Sequence, residues 1–120
     1  MDNAVLSVTM PEMVSNLAGH LLGAERAALD ERAGELLLFT VKASIRLRAY
    51  RTGHMHDETY LDEMALRAVG ELTVFTDVVY GPFVEDGTVR MAARQPYALG
   101  LAEAMPLVTS LVVENIIRGL

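Results

Sequence analysis

LLLFTVKASIRLRAY, residues Leu36 to Tyr50, decides how this chain folds, because drawn as a helix it carries one narrow polar stripe and is apolar almost everywhere else. At 100° per residue, Glu31, Glu35, Lys42 and Arg46 fall within roughly 60° of one another, whereas Leu29, Ala33, Leu36, Leu37, Phe39, Val41, Ala43 and Leu47 spread over the rest of the cylinder. A surface helix normally shows an apolar stripe of about 100°. The excess predicts a helix covered on several sides, as the centre of the fold or as part of a subunit interface. Leu37, Phe39 and Val41 are the residues whose cover would tell these apart.

The composition around that helix sets bounds. At 120 residues the chain is expected to be one domain, long enough for a single core and too short for two. Hydrophobic residues make up 52% of it, with no Trp and no Cys. The core is therefore built from Leu, Val, Ala, Met and Ile, without disulfides, Cys-ligated zinc or thiolate chemistry, which fits a reducing compartment. Ten Lys and Arg against sixteen Asp and Glu give a formal charge of −6. That balance repels phosphate backbones and argues against nucleic-acid binding. Met1 to Met13 lacks the basic and apolar regions of a signal peptide, and no stretch reads as the roughly 20 apolar residues that span a bilayer. The expected location is cytoplasm or virion, away from a membrane.

Working outward, residues 9 to 23 predict a first helix. Thr9 is placed as N-cap, Glu12 as its capping-box partner, Val8 and Met13 at the hydrophobic-staple positions, and Pro11 in the first turn. The central helix starts at Ala24 or at an Asp30 cap and runs to about Arg51. Gly53 to Asp57 forms a short loop into a third helix with Leu61, Met64, Ala65, Ala68, Val69 and Leu72 on one face, antiparallel to the second. Leu72 to Tyr80 is rich in β-branched and aromatic residues and reads equally as helix end or strand. Asp86-Gly87, between two β-compatible runs, predicts a hairpin over Phe83 to Met91. A last helix follows, broken or restarted at Pro106, with Leu107, Val108, Leu111, Val112, Asn115 and Ile116 at helical spacing. Val112, Val113, Ile116, Ile117 and Leu120 cover more than one of its sides. The fold expected is thus mainly α, a helical bundle with a long central helix and one short β-hairpin.

Chemistry-bearing residues are sparse. His54, His56, Asp57 and Glu58 form the densest group of metal-competent side chains, which His20 could join in three dimensions. Imidazole with carboxylate suits zinc, iron or manganese. The His-x-His spacing falls in a helix-to-helix loop, however, where Asp57 or Thr59 as a helix cap is the simpler reading. The adjacent pairs Asp30 and Glu31, Asp62 and Glu63, and Glu85 and Asp86 are expected to face water, whereas catalytic carboxylates need burial or a close like charge. No nucleophile elbow or triad pattern is present. Lys42, Arg46, Arg48 and Arg51 form a basic cluster whose stripe also holds Glu31 and Glu35, as a salt-bridged solvent stripe would.

Two readings remain, of different classes. In the first the protein has no chemistry of its own and acts in assembly, through subunit contacts at Leu37, Phe39, Val41, Val113 and Ile117. With its apolar central and C-terminal helices and a hairpin on a helical body, the chain resembles, over residues 9 to 118, the small head–tail connector (adaptor) proteins of tailed bacteriophages. The resemblance implies a helical homo-oligomer forming a ring beneath the portal, with loops or termini reaching neighbouring subunits, no cofactor and no catalytic residues. In the second reading the bundle encloses a small apolar ligand or metal, as a sensor or enzyme, with His20, His54 and His56 as polar anchors.

Overall fold

In the computed structural model, which describes residues 5–19, 21, 23–48, 53–89 and 92–118, two long helices form the frame. They are α2 (Gly23–Arg48) and α6 (Pro96–Arg118). The shorter elements are β1 (Leu6–Thr9), α1 (Glu12–Ala18), α3 (His54–Asp57), β2 (Thr59–Leu61), α4 (Glu63–Val69), β3 (Thr73–Thr76) and α5 (Gly81–Asp86). The protein is mainly α, as expected, and its central helix is about 39 Å long at 1.5 Å per residue.

The two long helices run antiparallel. The Ser44 hydroxyl near the end of α2 donates to the Pro96 carbonyl at the start of α6 (2.6 Å), and Arg32 donates to Asn115 Oδ1 near the other end (2.5 Å). Leu29, Ala33, Leu37, Val41 and Ile45 of α2 meet Tyr97, Ala104, Val108 and Val112 of α6 in one buried core. Gly100 marks the closest approach, since a Cβ there would lie 3.0 Å from both the Val41 Cα and the Ser44 Cβ. The antiparallel partner of the central helix is therefore α6, not the helix that follows it.

That following helix is present but short, α4 holding Met64, Ala65, Ala68 and Val69 while Leu61 and Leu72 lie outside it. Thr59, Tyr60 and Leu61 instead pair with Thr76, Phe75 and Val74 as β2, because β-branched and aromatic side chains suit a half-buried sheet. Asp62 then accepts the Ala65 N–H (3.1 Å) and starts α4, which ends at Gly70 with φ +70°. Asp57 and Thr59 do not cap it. Of Leu72 to Tyr80, Thr73–Thr76 is strand and no residue is helical, and this β3 is central in an antiparallel sheet of order β1-β3-β2. Leu6 pairs with Thr76 and Thr9 with Thr73 across its other edge. Thr9, expected as an N-cap, is the last residue of β1, and its hydroxyl lies 2.8 Å from that of Thr73. The pull of a buried partner strand outweighs a local cap.

The hairpin expected over Phe83 to Met91 is not formed across its described residues. Gly81–Asp86 is helix, with Pro82 in its first turn. Gly87, at φ +81°, closes that helix by donating its N–H to the Phe83 carbonyl (2.9 Å). Asp-Gly serves as readily at a helix C-terminus as in a hairpin turn, and Gly81-Pro82 decides for the helix.

Helix α6 passes through Pro106 without interruption. Proline removes the bond to the Ala102 carbonyl, but Pro106 and Ala102 both face outward, where water can reach that group. By length and composition alone α6 is apolar enough to cross a membrane, against the expectation that no stretch has that character. Its inner face supplies core packing against α2, α1 and β1.

Candidate functional site

Polar chemistry inside the fold serves to seat α6. The Tyr97 hydroxyl donates to Thr59 Oγ1 (2.9 Å), and Thr59 in turn donates to the Met55 carbonyl (2.6 Å). Thr76 donates to the Glu58 carbonyl (2.7 Å) and accepts from the Val78 N–H (3.2 Å). Buried Glu85 of α5 takes the backbone N–H groups of Tyr97 and Ala98 on its two carboxylate oxygens. Burial pushes the Tyr97 phenol well above the ordinary tyrosine value, partly offset by its hydrogen bonds to Thr59 and Thr76. Among the described residues no buried side-chain nitrogen or oxygen lacks a partner, so this network offers no open valence to a ligand.

The described metal candidates lie close in sequence without forming an ion site. His54, His56 and Asp57 share the single turn of α3, where His56 Nδ1 lies 3.1 Å from Asp57 Oδ1 and the His54 ring lies 6.3 Å from that of Tyr80. Glu58 accepts the Tyr60 hydroxyl (2.6 Å), and this bond raises the Tyr60 pKa. Among the described residues no three His, Asp or Glu side chains are grouped to hold an ion. His20 lies outside the described residues. Of the basic cluster, Lys42, Arg46 and Arg48 all lie on α2, where Arg48 donates to Ser44 Oγ (2.7 Å) and pairs with Glu103, and Arg51 lies outside the described residues.

The interface candidates divide by depth. Leu37 and Val41 are fully buried within the single chain, covered by α6 and the sheet layer, so they are not available to a partner. Phe39 (71% exposed), Val113 and Ile117 (62% exposed) face solvent. Leu47 (76% exposed), Leu99 and Leu107 join them, although none of the three is among the interface residues expected from sequence. Helical spacing could have found Leu47 and Leu99, since Phe39, Ala43 and Leu47 recur every four residues on α2, and Leu99, Ala102, Pro106, Val113 and Ile117 follow one side of α6, whereas Leu107 lies off that side. The central helix is thus covered on one broad face, and its outward side is mixed, with Phe39, Ala43 and Leu47 exposed beside Arg32, Glu35 and Arg46. Charges border the α6 side, where Arg118 pairs with Glu114 (2.5 Å).

A concave surface runs between the first half of α2 and α4, a groove of about 610 Å³. Leu21, Ala27, Leu61 and Leu66 line it together with Arg26, Asp30, Glu31, Glu35, Glu63 and Arg67. No histidine lines it. No protein-family model, no curated protein and no solved structure matches this chain.

Proposed function

We propose that this protein is a non-enzymatic assembly component that works as a homo-oligomer. The observation that carries the reading is a set of large apolar side chains left in water by the single chain, Phe39 and Leu47 on α2 and, along one side of α6, Leu99, Val113 and Ile117. Scattered apolar residues are ordinary on a protein surface, but an apolar side running the length of a helix, as Leu99, Ala102, Pro106, Val113 and Ile117 do on α6, marks a contact. Two rigid antiparallel helices, seated by the Tyr97 and Glu85 bonds, present that surface without further ordering, which lowers the cost of association. A place in a phage head–tail connector ring is the more specific form of this reading. It rests on the long-helix architecture alone, because Gly81–Asp86 is helix where the hairpin was expected to begin and the three-stranded sheet lies elsewhere in the chain.

Size-exclusion chromatography with light scattering tests the proposal. The expected result is a mass that is a multiple of 13.1 kDa, reduced by Ile117→Lys with the helical circular dichroism unchanged. A wild-type mass of 13.1 kDa at every concentration would contradict it.

A further inference from the structure

We propose that the solvent face of the three-stranded sheet docks a second copy of this chain, receiving the outward side of the C-terminal half of its α2. The inference rests on the assembly reading above and names the two surfaces that meet. The register puts Ser7, Phe75 and Tyr60 side by side on the solvent face, with the Tyr60 and Phe75 rings 5.9 Å apart, while Val74 of the opposite face belongs to the core. Carboxylates edge this aromatic pair. Glu58 accepts the Tyr60 hydroxyl at 2.6 Å, a bond that raises the Tyr60 pKa, and the Asp77 and Asp57 charges add smaller effects of the same sign. Rings edged by carboxylates suit a surface that is both apolar and basic, its cations reaching the ring faces and the rim.

The C-terminal half of α2 has that character. Phe39, Ala43 and Leu47 stand exposed at four-residue spacing, with Lys42 and Arg46 beside them, and α2 carries no carboxylate beyond Glu35. Two cations on this side thus face three carboxylates on the sheet, and an apolar row faces an aromatic pair. Both surfaces lie on regular elements, so neither has to be ordered on contact. Within one molecule the buried side of α2 packs on the inner face of its own sheet, which leaves the helix and the sheet between the two surfaces. One chain therefore cannot bring them together. The contact is heterologous, the sheet of one copy on the helix of the next, and propagates into a ring or a chain.

Because the chain has no cysteine, Ser7→Cys and Ala43→Cys each introduce one thiol, at exposed positions on the sheet face and on α2. Both variants are first checked for wild-type helical content and melting, and Val5→Cys or Leu47→Cys, exposed on the same two surfaces, replaces one that fails. Equimolar mixing with a short bis-maleimide is expected to give a cross-linked dimer that neither variant gives alone, and the double variant a ladder of multimers. Adding Lys42→Glu to the Ala43→Cys chain is expected to lower the yield roughly fivefold, and adding Asp77→Lys to the Ser7→Cys chain to restore it. An assembled wild type whose mixture shows no cross-link above the single variants overturns the pairing of these surfaces and leaves the assembly reading standing. A monomeric wild type overturns both.

Discussion

Glu85 caps a helix to which it does not belong. Its carboxylate accepts the Tyr97 N–H at 2.7 Å and the Ala98 N–H at 2.9 Å, so the first turn of α6 is finished by a side chain from α5. Those two amides have no partner within their own helix, and the carboxylate also complements the positive end of the helix dipole. Glu85→Ala is expected to destabilise the protein by about 2–3 kcal/mol, and Glu85→Gln by less, because an amide oxygen can still accept one of the two bonds. Urea unfolding of the three proteins, at constant slope, measures both.

Tyr97 makes the fold sensitive to alkali. Its phenol is raised from an ordinary 10.0 by burial, so above that pH the unfolded chain gives up this proton while the folded chain keeps it. Stability from this group is complete below about pH 10 and falls with rising pH by up to about 1.4 kcal/mol per unit. Tyr97→Phe is expected to cost about 1 kcal/mol at neutral pH and to flatten the alkaline slope by one proton. Denaturation midpoints between about pH 8 and 11 follow both effects.

Two helical glycines are expected to respond differently to alanine. A Cβ on Gly34 would meet the tip of the Leu61 side chain at 2.6 Å, which a rotamer change relieves, and alanine gains about 1 kcal/mol of helix propensity. Gly34→Ala should therefore lie near neutral. A Cβ on Gly100 would meet the Val41 Cα, which cannot move without parting the two long helices. Gly100→Ala should destabilise by about 1–3 kcal/mol, a difference readily seen in thermal melts.

Leu37 and Phe39 are two residues apart and should behave as opposites. Leu37→Ala empties a fully buried position at the α2–α6 contact and is expected to cost about 2–5 kcal/mol. Phe39→Glu changes only outward surface, and in the isolated chain it should stay within about 0.5 kcal/mol of wild type. Chemical denaturation of both variants at low protein concentration makes the comparison.

Much of this architecture is legible in the sequence, and the departures share a cause. Helix α2 is readable because 26 residues without Pro and with sustained apolar spacing leave few alternatives. Thr9 and Thr59 to Leu61 read as helix starts, because capping and spacing are local signals, whereas their pairing with β3 joins residues more than a dozen positions apart. Asp86-Gly87 is ambiguous on its own, since the same glycine conformation ends a helix or turns a hairpin. For the candidate site, apolar character is readable but depth is not. Phe39 and Val41 are equally apolar, and only the position of α6 puts one in water and the other in the core.

The mass of the native particle is the most direct test of the central claim that this protein acts through contacts between its own copies. Light scattering on the wild type, beside Val113→Lys and Ile117→Lys, is expected to show an assembly at a multiple of 13.1 kDa that shrinks in both variants while their melting curves stay unchanged. A wild-type protein that remains at 13.1 kDa across the concentration range would contradict it.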